Sequence, residues 1–325
     1  MRVLVIGAGA LGSLYAGFLA DAGNEVSILA RGTRLEALRR GPIVLFDDAT
    51  GQTRTARVTP IAELEAGQTY DLAVVAVRAE QLEALLPQLA DGPKVKLFLF
   101  LHNRAAGAHA IASALGRGRY LLGFPGACGT PEGDIIRFRL IAEQPTTLGE
   151  PDGTISPRLR DVATRLRRAG FQVAISRRME DWLKTHAVFV TCIAGAIYQV
   201  GGRAADVART RGQVNLLVRG VREGFDALAA AGVSIVPLKL ALLFRLPSFV
   251  PALYWRNFLS RPAAELMFAA HMWTLVTELR STISWEPLSS PALTDLWRAV
   301  ESEALRVQAL HEPKTADSKS PRDTH

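Results

Sequence analysis

The chain has 325 residues, 49% of them apolar and 21% charged, with a formal charge of +7 and a pI near 9.8. This length exceeds one ordinary hydrophobic core and implies two domains. Its cations are scattered, in pairs at most (Arg39-Arg40, Arg167-Arg168, Arg177-Arg178), without the aromatic-laced basic tract of a nucleic-acid surface. Cys128 and Cys192 make no metal or redox spacing, which suits a reduced, cytoplasmic protein with no metal site.

Short apolar runs at 2–6, 25–30, 42–46, 71–77, 96–101 and 119–124 read as strands, with helical patterns between several of them, such as 11–22 and 80–89. Continuous apolar strands alternating with helices predict an α/β fold with a parallel, doubly wound sheet. The runs 134–142 and 171–176 are expected to extend the edge of that sheet, and 145–157, rich in turn formers, to be a loop. Long helical patterns start at Met179, so the expected division is 1–178, a helical part over 179–311, and a disordered polar tail over 312–325. The apolar stretch 233–254 is broken by Lys239, Arg245 and three prolines, and neither a membrane span nor a membrane partner is expected from it.

GAGALG directly follows the first strand and opens a helix. Gly7 permits the tight turn, Gly9 lets a pyrophosphate approach the backbone, and Gly12 lets helix and strand pack closely. The N–H groups of Ala10 and Leu11 lie at the helix start, where they can meet phosphates. The second strand ends at Arg31 with no acid from Leu29 to Leu35, a pattern that favours the 2′-phosphate of NADP(H) over the ribose hydroxyl of NAD. The alternative is an incidental arginine in an arginine-rich chain.

Lysine is scarce: six residues, at 94, 96, 184, 239, 314 and 319, among 38 cations. Lys184 heads a helical run that is almost wholly apolar. Two readings stand side by side. Lys184 is either the i+4 ion-pair partner of Glu180 or a general acid at a domain junction. Glu265, at the head of an apolar stripe, is either a partner for that lysine or a first-turn capping carboxylate. His271 and Glu278 fall on another face of the same helical pattern, expected to be solvated or an interface.

The strand-GAGALG turn, Arg31, Asn103 after a strand, and WLK opening a buried helix together resemble ketopantoate reductases (2-dehydropantoate 2-reductases). The resemblance implies an N-terminal Rossmann domain, an all-helical C-terminal domain of the 6-phosphogluconate dehydrogenase type, NADPH in the cleft and reduction of a 2-keto acid. It implies Lys184 as the catalytic lysine, Glu265 as the acid binding the substrate hydroxyl, and Arg31, Gln81 and Asn103 as cofactor contacts. Arg78 stands where the family has lysine, Arg104 where it has glycine, and Val188 and Cys192 where it has substrate-binding asparagines. Ser260, with Ser248, is a candidate replacement for its serine-rich stretch. These departures imply a small-molecule carbonyl substrate bulkier or more apolar than ketopantoate. They also leave room for a non-catalytic NADPH-binding sensor or partner module, and the helical part for a homodimer.

Overall fold

The computed structural model describes residues 1–261, 264–265, 272–282 and 290–311. The tail 312–325 and His271 lie outside the described residues.

A mixed sheet runs β12-β11-β8-β7-β6-β1-β2-β5. Its centre is β1 (Arg2–Ile6), flanked by β2 (Glu25–Leu29) and β6 (Thr69–Val75), with β7 (Lys94–Leu101) and β8 (Tyr120–Phe124) beyond β6, all parallel. Val3, Leu4, Val5 and Ile6 are fully buried, because both faces of this strand are covered. Short β5 (Thr59–Ile61) extends one edge, and β11 (Thr146–Gly149) and β12 (Val173–Ile175) the other, with β11 antiparallel to β8. The chain leaves β1 toward β2 and later returns to β6 on its opposite side. The carboxyl ends of β1 and β6 therefore flank the switch point at which such sheets hold ligands.

Two expected strands belong elsewhere. Residues 42–46 and 134–142 were assigned to the main sheet. Instead β3 (Ile43–Asp47) and β10 (Ile135–Leu140) pair in parallel inside a second sheet, ordered β4-β3-β10-β9, with β4 (Thr53–Ala56) and β9 (Ala127–Glu132). The reason is their alternation. Ile43 and Leu45 are buried, as are Ile136 and Phe138, while Arg137 and Arg139 point the other way. Such strands cover one face only. That face packs on α1 (Ala10–Asp21), where Phe18 meets Phe138 edge-on at 5.6 Å. The expected loop over 145–157 contains β11, whose four residues are all buried. The expected edge strand over 171–176 is β12.

Around the sheet lie α2 (Gly32–Arg40), α3 (Ala79–Asp91), α4 (His109–Leu115) and α5 (Pro157–Arg168). After β12 come α6 (Met179–Gln199), α7 (Ala204–Arg209), α8 (Gln213–Ala230), α9 (Leu238–Arg245), α10 (Phe249–Leu259), α11 (Trp273–Thr282) and α12 (Pro291–His311). α6 is apolar around its axis and lies at the centre of a second hydrophobic core with α8 and α12. Gly195 and Gly220 allow the close approach: a β-carbon at Gly195 would lie 2.2 Å from the carbonyl oxygen of Leu296 in α12.

Candidate functional site

The turn between β1 and α1 is built from its glycines. Gly7 has φ +105°, and a β-carbon there would lie 2.6 Å from the carbonyl oxygen of Ala76, just past β6. At Gly12 a β-carbon would lie 1.7 Å from Gly7's own carbonyl oxygen, so no larger residue fits. Gly9 differs: nothing lies within 4 Å of where its β-carbon would be. Gly9 caps α1 with no side-chain acceptor, and the N–H groups of Ala10, Leu11 and Gly12 begin a helix, where intrahelical acceptors are lacking. Two positions are closed by packing and one is left open toward free donors, which is the shape of a phosphate cradle.

Arg31 is exposed at the N-cap of α2, at the end of β2. Sequence reasoning missed Arg34, one turn further on. Its Nη2 donates to Ser13 Oγ at 3.1 Å, Ser13 Oγ donates to the Ala8 carbonyl at 3.1 Å, and Arg34 Nε is buried without a partner. Its three-residue spacing from Arg31 was the available signal.

Past β6, Arg78 pairs with Glu80 at 3.1 Å. Gln81 Oε1 accepts the Arg78 N–H at 3.2 Å and so closes the first turn of α3. Past β7, the side chain of Asn103 keeps a buried Oδ1 without a hydrogen-bond partner. Arg104 is 7% exposed in its side chain, lies 3.9 Å from Glu83 and keeps a buried, unpartnered Nε. His102, also buried, is held neutral: burial, reinforced by Arg104, lowers its pKa to about 3.

Opposite this loop stands the first part of α6. Glu180 Oε1 accepts the N–H of Ala108 at 3.3 Å, leading into α4. Lys184, half-buried, follows one turn later on the same face, and among the described residues no acid pairs with it. Of the two readings of Lys184, the Glu180–Lys184 ion pair is not formed, and Glu180 bonds the loop.

Three expectations are corrected by position. Glu265 does not meet Lys184. Its two oxygens accept the N–H groups of Ala204 and Ala205 at 3.1 and 3.2 Å, which makes it the cap of α7. Val188 and Cys192 line no open face: both are fully buried, and Val188 Cγ1 would lie 2.3 Å from a β-carbon on Gly224 of α8. They fill the α6–α8 contact, for which apolar side chains are suited. Ser260 is exposed and donates back to the carbonyl of Arg256, while Ser248 accepts from Arg222. A cavity of about 200 Å³ between the ends of β10 and α10, lined by Arg139, Glu143, Phe258 and Arg261, contains none of the residues expected at the site.

The acid at the junction is Glu278 of α11, expected to lie on a solvated or interface face. Its Oε2 accepts the N–H of Ala105 at 2.6 Å and of Ala106 at 3.2 Å. Burial raises its pKa, against the two backbone donors and the nearby Arg104. Asn103, Arg104 and Glu278 thus gather at the loop that follows β7, with Lys184 one helical turn beyond the Glu180 that bonds the same loop.

A family model for ketopantoate reductase PanE/ApbA matches residues 3–153. A 2-dehydropantoate 2-reductase of Mesorhizobium japonicum is 37% identical over 91 residues, covering 28% of this chain and 27% of that protein. One from Pyrococcus horikoshii is 23% identical over 256 residues, covering 74% of this chain and 79% of the relative. The crystal structure of 2-dehydropantoate 2-reductase from Geobacter metallireducens superposes with a TM-score of 0.73 at 17% identity, over 93% of this chain and all of that one. With the glycine turn, the sheet order and the helical half now described, the N-terminal part of the chain is similar to the ketopantoate reductase family over residues 3–153, and the fold as a whole is that of a solved 2-dehydropantoate 2-reductase.

Proposed function

We propose that this protein is an NADPH-dependent reductase of a carbonyl compound, with residues 1–178 holding the cofactor and 179–311 completing the substrate site. The observation that carries the reading is Lys184: a half-buried ammonium without an acidic partner among the described residues, on the helix face that meets the loop after β7. The cradle fits a dinucleotide, since Gly9 is open while Gly7 and Gly12 are closed by packing. Backbone N–H groups of Ala10, Leu11 and Gly12 would receive the pyrophosphate, Arg31 the 2′-phosphate, and Asn103, with its unpartnered buried oxygen, the nicotinamide ribose. Gln81 would contribute only through its amide nitrogen, its oxygen being engaged.

A bound nicotinamide supplies the hydride to a carbonyl carbon. As charge develops on the carbonyl oxygen, Lys184 gives it a proton. Glu278, fixed by two backbone donors, orients the substrate's polar groups and takes the place that Glu265 was expected to fill. Arg78 and Arg104 offer the cationic contacts for an anionic substrate such as a 2-oxo acid. With asparagine absent at 188 and 192 and both positions packed into the core, recognition of a small polar acid such as ketopantoate is weakened.

Oxidation of NADPH with a panel of 2-oxo acids and ketones tests the reading. Turnover of any member that Lys184→Ala abolishes supports it. NADPH binding with no turnover across the panel favours the non-catalytic sensor or partner module instead.

A further inference from the structure

Six of the eight large apolar side chains that stand well out into solvent among the described residues lie between Leu238 and Tyr254. On α9 and its C-cap, Leu238, Leu242 and Leu246 are 67, 50 and 45% exposed and fall on one stripe. On α10, Phe249 and Leu253 are 71 and 70% exposed, and Tyr254 is 45% exposed. The inner faces of the same helices, with Ala241, Phe244, Trp255 and Phe258, already fill the core. Both helices are therefore apolar on the side that meets water as well as the side that meets protein.

The pair is held as a rigid corner. Arg222 of α8 donates through Nε to the Phe244 carbonyl at 2.8 Å, through Nη1 to Ser248 Oγ at 2.6 Å, and through Nη2 to the Leu246 carbonyl. The two helices turn by 117° there, and no single helix among the described residues is long and apolar enough to cross a membrane. The segment's own charge has one sign, and the acid set against it is Glu143, whose carboxylate lies 4.0 Å from Arg261 and whose carbonyl accepts from Lys239 at 3.3 Å. From Ser234 to Ala264 the sequence contains no Asp or Glu but carries Lys239, Arg245, Arg256 and Arg261, all exposed.

We propose that this corner is a docking surface for anionic lipid, on which α9 and α10 lie in the plane of the membrane interface. Leucine and aromatic side chains enter the headgroup boundary while a basic rim meets lipid phosphates, the pattern of interfacial helices. The surface is unsuited to a second copy of the chain. A two-fold contact would bring Lys239, Arg245 and Arg256 against their equivalents, with no acid in the segment to pair with them. At roughly 150–200 Å² for each full side chain, the six exposures amount to on the order of 600 Å², large for a monomer's apolar patch. The expectation of no membrane partner rested on the absence of a span, which leaves an interfacial contact open.

Sedimentation of the full chain with phosphatidylcholine vesicles, with and without phosphatidylglycerol, tests this. Binding to the anionic vesicles is expected, weakening as salt is raised. The pair Leu242→Glu, Phe249→Glu lowers it by about tenfold or more, and Lys239→Glu, Arg245→Glu by about tenfold through charge alone. Ile135→Glu, at an exposed apolar side chain on the second sheet, leaves binding unchanged. The charge pair alters only exposed side chains and decides the matter where the apolar pair fails to fold. No binding, equal binding to neutral and anionic vesicles, or a solution dimer that the Leu242→Glu, Phe249→Glu chain cannot form would overturn the proposal.

Discussion

Glu278 and Ala105 are 173 positions apart in the chain, yet the carboxylate accepts the alanine N–H at 2.6 Å. A charged acceptor on two backbone donors is a strong contact, worth about 1.5–3 kcal/mol for a typical bond to an ionised group. It also joins the helical half to the loop that follows β7. Glu278→Ala is expected to lower stability by about that amount and to reduce kcat. Glu278→Gln, which still offers an oxygen, should recover most of the melting temperature but little of the rate. A glutamine variant with full turnover would confine Glu278 to holding the loop.

Lys184→Ala should lower kcat by roughly 10²–10⁴ while NADPH binding and melting temperature stay close to wild type. Lys184→Arg should not restore the rate, since a guanidinium keeps its proton near neutral pH. Glu180→Ala removes the bond to Ala108, so its effect should fall on stability first. Measured side by side in single-turnover assays, equal rate losses for Glu180→Ala and Lys184→Ala would count against a proton-donating lysine.

The three glycines of the first turn should separate experimentally. Gly12→Ala forces a β-carbon to 1.7 Å from a carbonyl oxygen and should prevent proper folding. Gly9→Ala meets no protein atom within 4 Å, so the melting temperature should hold. Its methyl instead occupies the space for the pyrophosphate and should weaken NADPH binding by about tenfold or more, as expected when close backbone approach is lost. Calorimetric titration of the Gly9→Ala protein decides; unchanged affinity would place the cofactor elsewhere.

Arg31→Ala should weaken NADPH by about tenfold or more and leave NADH nearly unaffected, since a charge-assisted contact contributes about 1.5–3 kcal/mol. Arg34→Ala provides the comparison, because that guanidinium is tied to Ser13 beside the glycine turn. Equal affinities for the two cofactors in the wild-type protein would refute the preference.

Acid should destabilise this fold earlier than carboxylate titration alone predicts. His102 and His186 are buried, and burial lowers both pKa values from 6.5 to about 3. The unfolded chain therefore binds more protons between about pH 6.5 and 3, so stability is fully present above that range and lost as pH falls through it. Each histidine costs about 1.4 kcal/mol per pH unit at most. Thermal melts at pH 7 and 5 read the slope. His186→Phe, in an aromatic setting with Phe124 at 4.1 Å and Trp182 at 5.0 Å, should flatten it.

The parts of this protein legible in its sequence are those fixed by neighbours along the chain. The spacing of Gly7, Gly9 and Gly12 places a tight turn after a strand because each glycine answers a local steric demand. The start of α6 at Met179 was legible too, since residues that are mostly apolar surround its axis. Long-range partners were not legible. Glu265 and Glu278 are both helical carboxylates, and only folding reveals that one caps α7 while the other reaches β7's loop. Likewise i,i+4 spacing permits a Glu180–Lys184 pair but cannot weigh it against the N–H of Ala108. Alternation in 134–140 did signal a one-faced strand; which sheet receives it depends on β3, some 90 positions earlier.

The late-arriving cover of α1 has a consequence for synthesis on the ribosome. Helix α1, which carries the cofactor cradle, emerges early, but the surfaces that sheathe it come much later: Phe138 against Phe18, Thr146 bonding the Tyr15 hydroxyl at 2.6 Å, and Phe171 stacked on Tyr15 at 4.3 Å. A nascent chain that stops near β8 holds the complete glycine motif and yet leaves Tyr15 and Phe18 open to water. Nucleotide affinity should therefore arise late in elongation, once residue 171 has cleared the exit tunnel, and a fragment ending at Phe124 should bind no cofactor although every motif residue before that point is present.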